Sequence, residues 1–115
     1  MDLETSQRRK STRRPGLWVG RYRLGRLRRW TDCRVVDVSM GGVAIEIDPE
    51  VDVTGRLLTL ELRPVGVALD PLIVRAHVRH ARRTESGSWR VGLEFDEMPP
   101  AERAALDRMI RLFAT

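Results

Sequence analysis

A carboxylate, a hydroxyl and two glycines lie close together within residues 34–47 of this chain. Asp37 and Ser39 are two residues apart, so on an extended strand their side chains project from the same face. Gly41 and Gly42 lie two and three residues after Ser39. Glycine allows a turn with positive φ and a close approach by a partner. A carboxylate accepts hydrogen bonds from N–H groups, and a hydroxyl both donates and accepts. We therefore predict that this turn needs a partner, and the N-terminus of the chain offers one.

The basic residues of the chain are concentrated near its N-terminus. Residues 1–34 contain eleven Lys or Arg against three acids, a balance of +8, whereas the remainder has ten basic and thirteen acidic residues, a balance of −3. All of the basic residues except Lys10 are arginines. The arginine side chain grips phosphate with two hydrogen bonds and stacks on flat rings. A high-GC genome would explain the choice of arginine, but it would not explain the clustering, which favours a phosphate-bearing partner.

The first sixteen residues have no apolar periodicity and end in Pro-Gly. We interpret residues 1–16 as a flexible basic arm that leads into the domain. A solvated basic tail is the simplest alternative for its arginines, and only a second motif elsewhere in the chain favours a binding role.

The length of 115 residues predicts one domain with a modest core. The sequence has no run of about 18 apolar residues, so we expect no membrane span. Its N-terminus has no apolar segment, so we expect no signal peptide. The single cysteine, Cys33, cannot form an internal disulfide, which favours a reducing compartment. We interpret it as a packed strand residue and expect a cytoplasmic protein.

Alternating apolar residues predict six strands, and a final helical spacing predicts one helix. The strands are predicted at residues 17–24, 31–38, 42–47, 56–62, 72–80 and 89–95, with the helix at about 99–113. In the second strand Val36 and Val38 are expected to face inward, and residues 82–87 are expected to form a turn. We predict an all-β fold: a small six-stranded antiparallel β-barrel over residues 17–115 with a C-terminal α-helix, preceded by the arm.

Two short motifs occur at a defined spacing within this pattern. The arm contains R-x-x-x-R at residues 9–13, and the first hairpin contains D-x-S-x-x-G at residues 37–42. The segment WRVGLEF at residues 89–95 is a third point of similarity. From about residue 7 to residue 113 the chain resembles the PilZ family, the bacterial receptor module for cyclic di-GMP. We expect a stand-alone, single-domain member.

The resemblance implies that cyclic di-GMP is the ligand and assigns residues to it. The implied ligand-binding residues are Arg8, Arg9, Arg13, Asp37, Ser39, Gly41, Gly42 and His80. The arginines would hold phosphates and guanine edges or stack on the rings, since an Arg fork matches the two acceptors of guanine's Hoogsteen edge. The carboxylate would accept from the guanine Watson–Crick edge, and Gly42 would leave room for the base. One ligand or a stacked pair is possible for the family, and Arg8 favours two.

A disorder-to-order switch follows from this assignment. The arm would fold across the barrel when the ligand binds, and a partner protein would respond to the new surface. Motility, polysaccharide production and virulence control are all outputs of the family, and the residues do not choose among them. We expect no enzyme activity and no cofactor, because no zinc-binding Cys/His set, P-loop or G-x-S-x-G elbow is present.

Two other functions remain open at this point. The first is general RNA or single-stranded DNA binding by a small basic barrel, although paired exposed aromatic residues are missing from the strands. The second is a PilZ-like scaffold that binds only protein and no ligand. The three tryptophans, Trp18, Trp30 and Trp89, are expected to pack against the barrel, and His77 is expected to face solvent, as His80 also could.

Overall fold

The structure of the protein is a computed structural model. It describes residues 18–25, 27–48, 53–66 and 68–113, with the backbone alone at 112 and 113. The elements are β1 (Trp18–Leu24), β2 (Thr31–Val38), β3 (Gly42–Ile47), β4 (Leu57–Pro64), β5 (Leu72–Arg83), β6 (Trp89–Phe95) and α1 (Pro100–Phe113). The predicted boundary between arm and barrel, after residue 16, lies outside the described residues.

All six strands pair antiparallel and close into a barrel in the order β1-β2-β3-β6-β5-β4. Closure gives every strand a neighbour on both sides, which leaves only short one-sided segments in the described barrel, such as residues 34–38 of β2 and 79–83 of β5. The predicted all-β barrel with a C-terminal helix is therefore confirmed.

The core of the barrel follows from the period-2 alternation of its strands. In β5 Leu72, Val74, Ala76 and Val78 are buried, as the pattern predicts. In β1 the residues that face inward are Trp18, Gly20 and Tyr22, whereas Val19 is half exposed. A Cβ on Gly20 would lie 2.8 Å from Val35 Cγ2, so this position accepts only glycine without a shift in the core.

A β-bulge in β2 makes one prediction partly wrong. The register shifts between Val35 and Asp37, which places an extra residue, Val36, in this strand. Consequently Val35 is buried together with Val38, while Val36 is only half buried. A second shift occurs in β5, between Val78 and His80.

Strand β5 is longer than predicted because it pairs with a different neighbour along each half of its length. Its residues 72–77 pair with β4, and its residues 76–83 pair with β6. Arg83 still pairs with Trp89, so the predicted turn at 82–87 was placed too early. The connection instead spans residues 84–88, where the Thr84 amide donates to the Ser88 carbonyl at 2.8 Å.

Helix α1 packs an apolar stripe against the barrel. Pro100 occupies its first turn, where a missing N–H costs nothing. Leu106 and Met109 are buried, and Ile110 packs partly against the core. In the described part of the chain, no helix has both the length and the apolar character needed to cross a membrane.

Candidate ligand-binding site on the barrel wall

The register of four adjacent strands creates one transverse row on the outer wall of the barrel. Asp37 of β2 pairs with Ala44 of β3, Ala44 pairs with Gly92 of β6, and Gly92 pairs with His80 of β5. With strands about 4.8 Å apart, the row is about 14 Å long. It places a carboxylate at one end, an imidazole at the other, and two small residues between them as a flat floor.

A pocket of about 390 Å³ lies over this row. It brings together all the predicted site residues that the structure describes: Asp37, Ser39, Gly41, Gly42 and His80. The predicted arm residues Arg8, Arg9 and Arg13 lie outside the described residues. Sequence reasoning missed the six other residues of the pocket lining, which are Val43, Ala44, Arg79, Gly92, Leu93 and Glu94.

The turn between β2 and β3 is fixed by hydrogen bonds to its own backbone. The Ser39 amide donates to the Gly42 carbonyl at 2.9 Å, and the Ser39 hydroxyl donates to the same oxygen at 3.3 Å. The Phe95 amide donates to the Gly41 carbonyl at 3.0 Å, which ties the turn to β6. The exposed Ser39 hydroxyl is thus held at the pocket wall by the turn.

The two glycines of the turn differ in what they do. The expectation of positive φ is wrong for both, since the glycines with positive φ in the described residues are Gly25, Gly55, Gly66 and Gly87. A Cβ on Gly42 would overlap the carbonyl oxygen of Leu93, so glycine is required there by the close approach of β3 and β6. A Cβ on Gly41 would meet nothing within 4 Å. Gly42 therefore serves the sheet itself, not only the space above it.

The imidazole of His80 lies directly over Gly92. A Cβ at that glycine would overlap ring atoms Cε1 and Nε2 of the histidine. The absence of a side chain on the floor thus lets the ring lie against the backbone of β6. His80 remains exposed on its other side, where a planar group can approach it.

An ion pair forms the wall beside this ring. Arg79 Nε donates to Glu94 Oε1 at 2.6 Å, and the two side chains are 59% and 58% exposed. Simple alternation placed Arg79 on the solvent face without linking it to the pocket. The link depends on the β5 bulge and on the pairing of β5 with β6, and a single sequence carries no clear signal for either.

A second carboxylate lies on the other side of the floor. Glu46 is buried, with 8% of its surface exposed, and it carries an arginine on each side. Arg90 Nε and Nη2 donate to Glu46 Oε2 at 3.0 and 2.5 Å, and Arg34 Nη2 donates to Oε1. The hydrogen bonds from Arg90 first, and from Arg34 next, lower the pKa of Glu46 despite its burial. This residue is ionised at neutral pH.

The tryptophans lie away from the pocket. Trp18 is buried in the core, as expected. Arg21 and Arg23 stack over Trp30, with guanidinium-to-ring distances of 5.1 and 4.6 Å, and Arg83 lies 5.6 Å from the Trp89 ring. None of the three rings faces the pocket as a stacking surface for bases.

His77 departs from the sequence-based prediction, whereas Cys33 agrees with it. His77 does not simply face solvent: its Nε2 lies 3.4 Å from Asp96 Oδ1. Burial raises the pKa of the Cys33 thiol to about 12, which suits a packed strand residue and not a reactive thiol. Among the residues that the structure describes, no three His, Cys, Asp or Glu side chains are grouped to hold a metal ion.

A family model for the PilZ domain matches residues 7–112 of this sequence. The chain belongs to the PilZ family. This is a family of receptors and adaptors and not a known family of enzymes. The family resemblance predicted from the two motifs is therefore confirmed.

Two solved structures are similar to this PilZ chain. The inhibitor of motility MotI/DgrA of Bacillus subtilis has a TM-score of 0.70 and 19% identity, over 88% of this chain and 49% of that one. The PlzA protein of Borreliella burgdorferi, in complex with c-di-GMP, has a TM-score of 0.54 and 14% identity, over 97% and 48%. The chain thus spans about half the length of each neighbour, and the structural similarity at these low identities shows a shared fold alone. Among curated proteins, none matches this sequence.

Proposed function

We propose that this PilZ chain is a receptor for cyclic di-GMP that signals to a partner protein. One observation carries the proposal: residues from the β2–β3 turn and from β5, far apart in sequence, line a single pocket with a flat floor. Family membership supports it. The PlzA structure, which has the same fold and was solved with c-di-GMP, supports it as well.

The pocket residues have distinct roles in this proposal. The Asp37 carboxylate accepts hydrogen bonds from the N–H groups on a guanine Watson–Crick edge. The exposed Ser39 hydroxyl accepts from an exocyclic amine, or exchanges its long bond to the Gly42 carbonyl for one to a phosphate, and the open side of Gly41 admits the base. The His80 ring, supported by Gly92 beneath it, stacks on guanine.

The charge of the pocket explains why the arm is needed. Its described lining contains one cation, Arg79, and two carboxylates, Asp37 and Glu94, a formal sum of −1. The ligand is a dianion, so the barrel wall alone does not neutralise it. We propose that Arg9 and Arg13 supply the missing charge as the arm orders over the barrel. Arg8 adds a third guanidinium, enough for a stacked pair of ligands.

Ordering of the arm provides the signal. It covers a wall that is otherwise open, and the covered surface differs in shape and charge from the empty one. A partner protein that binds only the covered form would then respond to the ligand. No covalent step is involved.

Calorimetry with the full chain tests the proposal. We expect saturable binding of cyclic di-GMP that Asp37→Ala weakens by about 10- to 100-fold, the loss of one good paired contact. The matched control is Asp107→Ala, which removes an exposed helix carboxylate far from the pocket. The double variant Arg9→Ala/Arg13→Ala should abolish binding, whereas Arg28→Ala/Arg29→Ala, an equal loss of charge from an exposed loop, should not.

Two results would contradict the receptor. Binding to a mixed-sequence oligonucleotide that falls steeply with salt, without preference for cyclic di-GMP, would assign the chain to general nucleic-acid binding. Binding to neither compound would leave a scaffold that recognises only protein.

A further inference from the structure

The bulge in β5 places Arg79 and His80 side by side on the outer wall of the barrel. Regular alternation after the inward Val78 would turn Arg79 outward and His80 inward. The register shift between Val78 and His80 instead leaves both Arg79 and His80 exposed, and both line the pocket. Bulges re-aim side chains in this way and are frequent beside functional sites.

The ion pair between Arg79 and Glu94 is easily separated. Both side chains are more than half exposed, and Glu94 is the one ion-pair partner of Arg79 among the residues that the structure describes. Exposed pairs of this kind contribute little to stability, because water and salt screen them. An incoming anion can therefore take the guanidinium from Glu94 at little cost to the fold.

Within the described lining of the pocket, Arg79 is also the one cationic side chain. A phosphate offers its guanidinium two acceptors in the geometry of its fork, as a carboxylate does. While the pocket is empty, Glu94 occupies that fork. Glu94 also places a negative charge where an anionic ligand must approach, so it opposes binding in two ways.

We propose that Arg79 binds a phosphate of the ligand and that Glu94 competes with the phosphate for it. The pair thus sets the affinity of the pocket for an anionic nucleotide. This inference rests on the proposed function, and it adds a barrel residue and an opposing carboxylate to the arm arginines.

The competition predicts opposite signs for two single variants. In calorimetry with cyclic di-GMP and the full chain, Arg79→Gln should weaken binding by about 10-fold, as loss of one charge-assisted contact does. Glu94→Gln should strengthen it by about 3- to 10-fold. The double variant should bind more weakly than Glu94→Gln, and slightly more tightly than Arg79→Gln, because the repulsion by Glu94 is also removed. A pair that only supported the wall would weaken binding in both single variants.

A second ion pair provides the control. Arg111 Nε donates to Asp107 Oδ2 at 2.9 Å on the exposed side of α1, away from the pocket. Arg111→Gln and Asp107→Asn should leave the affinity unchanged within about 2-fold. Arg79→Gln should also make the affinity less sensitive to salt than that of the wild type, because one screened attraction between opposite charges is lost.

The outcomes separate this inference from the proposed function. If the wild-type chain binds cyclic di-GMP but Glu94→Gln weakens binding, or Arg79→Gln leaves the affinity and its sensitivity to salt unchanged, the competition is refuted and the receptor stands. If the wild-type chain does not bind cyclic di-GMP, both are refuted. Circular dichroism of each variant checks that the barrel is intact, which the exposure of both side chains leads us to expect.

Discussion

Two glutamates lie on opposite sides of the Ala44–Gly92 pair, and their surroundings differ: Glu94 lines the pocket, whereas Glu46 lies outside its lining. Glu46 is two residues from Ala44 on β3, and Glu94 is two residues from Gly92 on β6. Both point away from the core and both hold arginine. Glu46 is buried and hydrogen-bonded to Arg34 and Arg90, whereas Glu94 is 58% exposed and, among the described residues, pairs with Arg79.

The difference shows how one barrel wall can combine a fixed side and an adjustable side. A buried carboxylate that lost its arginines would remain unpaired at a large cost, so the Glu46 cluster stays closed. An exposed carboxylate that loses its arginine is simply hydrated. A ligand can therefore rearrange the Glu94 side without disturbing the strands below it.

The largest expected effect comes from the backbone on the Glu94 side. Gly42 pairs with Glu94, and a Cβ there would overlap the Leu93 carbonyl, which cannot move without breaking the β3–β6 ladder. We expect Gly42→Ala to lower the free energy of unfolding by about 3 kcal/mol. Urea denaturation measures it, and Gly41→Ala, whose Cβ meets open space, is the control. Equal losses in the two variants would show that the strands separate easily.

Next in size is the replacement of the buried glutamate. Glu46→Gln keeps the shape of the side chain but removes the charge that both arginines bind. We expect a loss of about 1–2 kcal/mol in the free energy of unfolding, the range for charge-assisted hydrogen bonds with a partly exposed partner. Thermal and urea unfolding at neutral pH measure it.

The same variant changes the dependence of stability on pH. Arg90 and Arg34 lower the pKa of Glu46 in the folded state below its ordinary value of 4.5. The stabilisation is therefore complete well above that value and is lost as the pH falls through the lower folded-state pKa. Stability should fall less steeply below about pH 4.5 in Glu46→Gln than in wild type. Parallel curves would show that Glu46 does not differ between the folded and unfolded states.

A smaller effect is expected at the floor itself. Gly92→Ala would push against the His80 ring, which can rotate away because it is the end of a side chain and not backbone. We expect less than about 1 kcal/mol of destabilisation. The ¹H NMR shift of the His80 ring should change clearly, and the unfolding midpoint should change little. A large loss of stability would mean that the ring is locked in place.

The smallest effect completes the comparison. Glu94→Gln should change the free energy of unfolding by less than about 0.5 kcal/mol, as for other exposed pairs. Its effect should appear in ligand affinity alone. A loss as large as that of Glu46→Gln would remove the distinction between the two glutamates.

The sequence was sufficient to predict what depends on local pattern. Alternation predicted the six strands, and helical spacing predicted that Leu106 and Met109 face the barrel. The D-x-S-x-x-G motif and His80 indicated residues that line one pocket. Each of these signals lies within one element or one turn. The interpretation of Cys33 as a packed residue also needed only its place in a strand.

What escaped prediction depends on how strands meet. The bulges at Val36 and Arg79 arise from registers set by neighbouring strands, so strict alternation misplaced Val35 and gave no reason to link Arg79 to the pocket. The need for glycine at position 42 comes from Leu93, some fifty residues away in the chain. The hydrogen bonds to Glu46 likewise require β2, which supplies Arg34, and β6, which supplies Arg90, on its two sides.

Closure of the barrel limits how another protein can bind to it. Many signalling domains recruit a peptide by letting it extend an open sheet as one more strand. Here each strand has a neighbour on both sides, although residues 34–38 of β2 and 79–83 of β5 have a ladder partner on one side alone among the described residues. Strand addition is therefore confined to short segments of this kind in the described barrel, and the specificity of a binding partner will depend mainly on surface chemistry and not on main-chain hydrogen bonds.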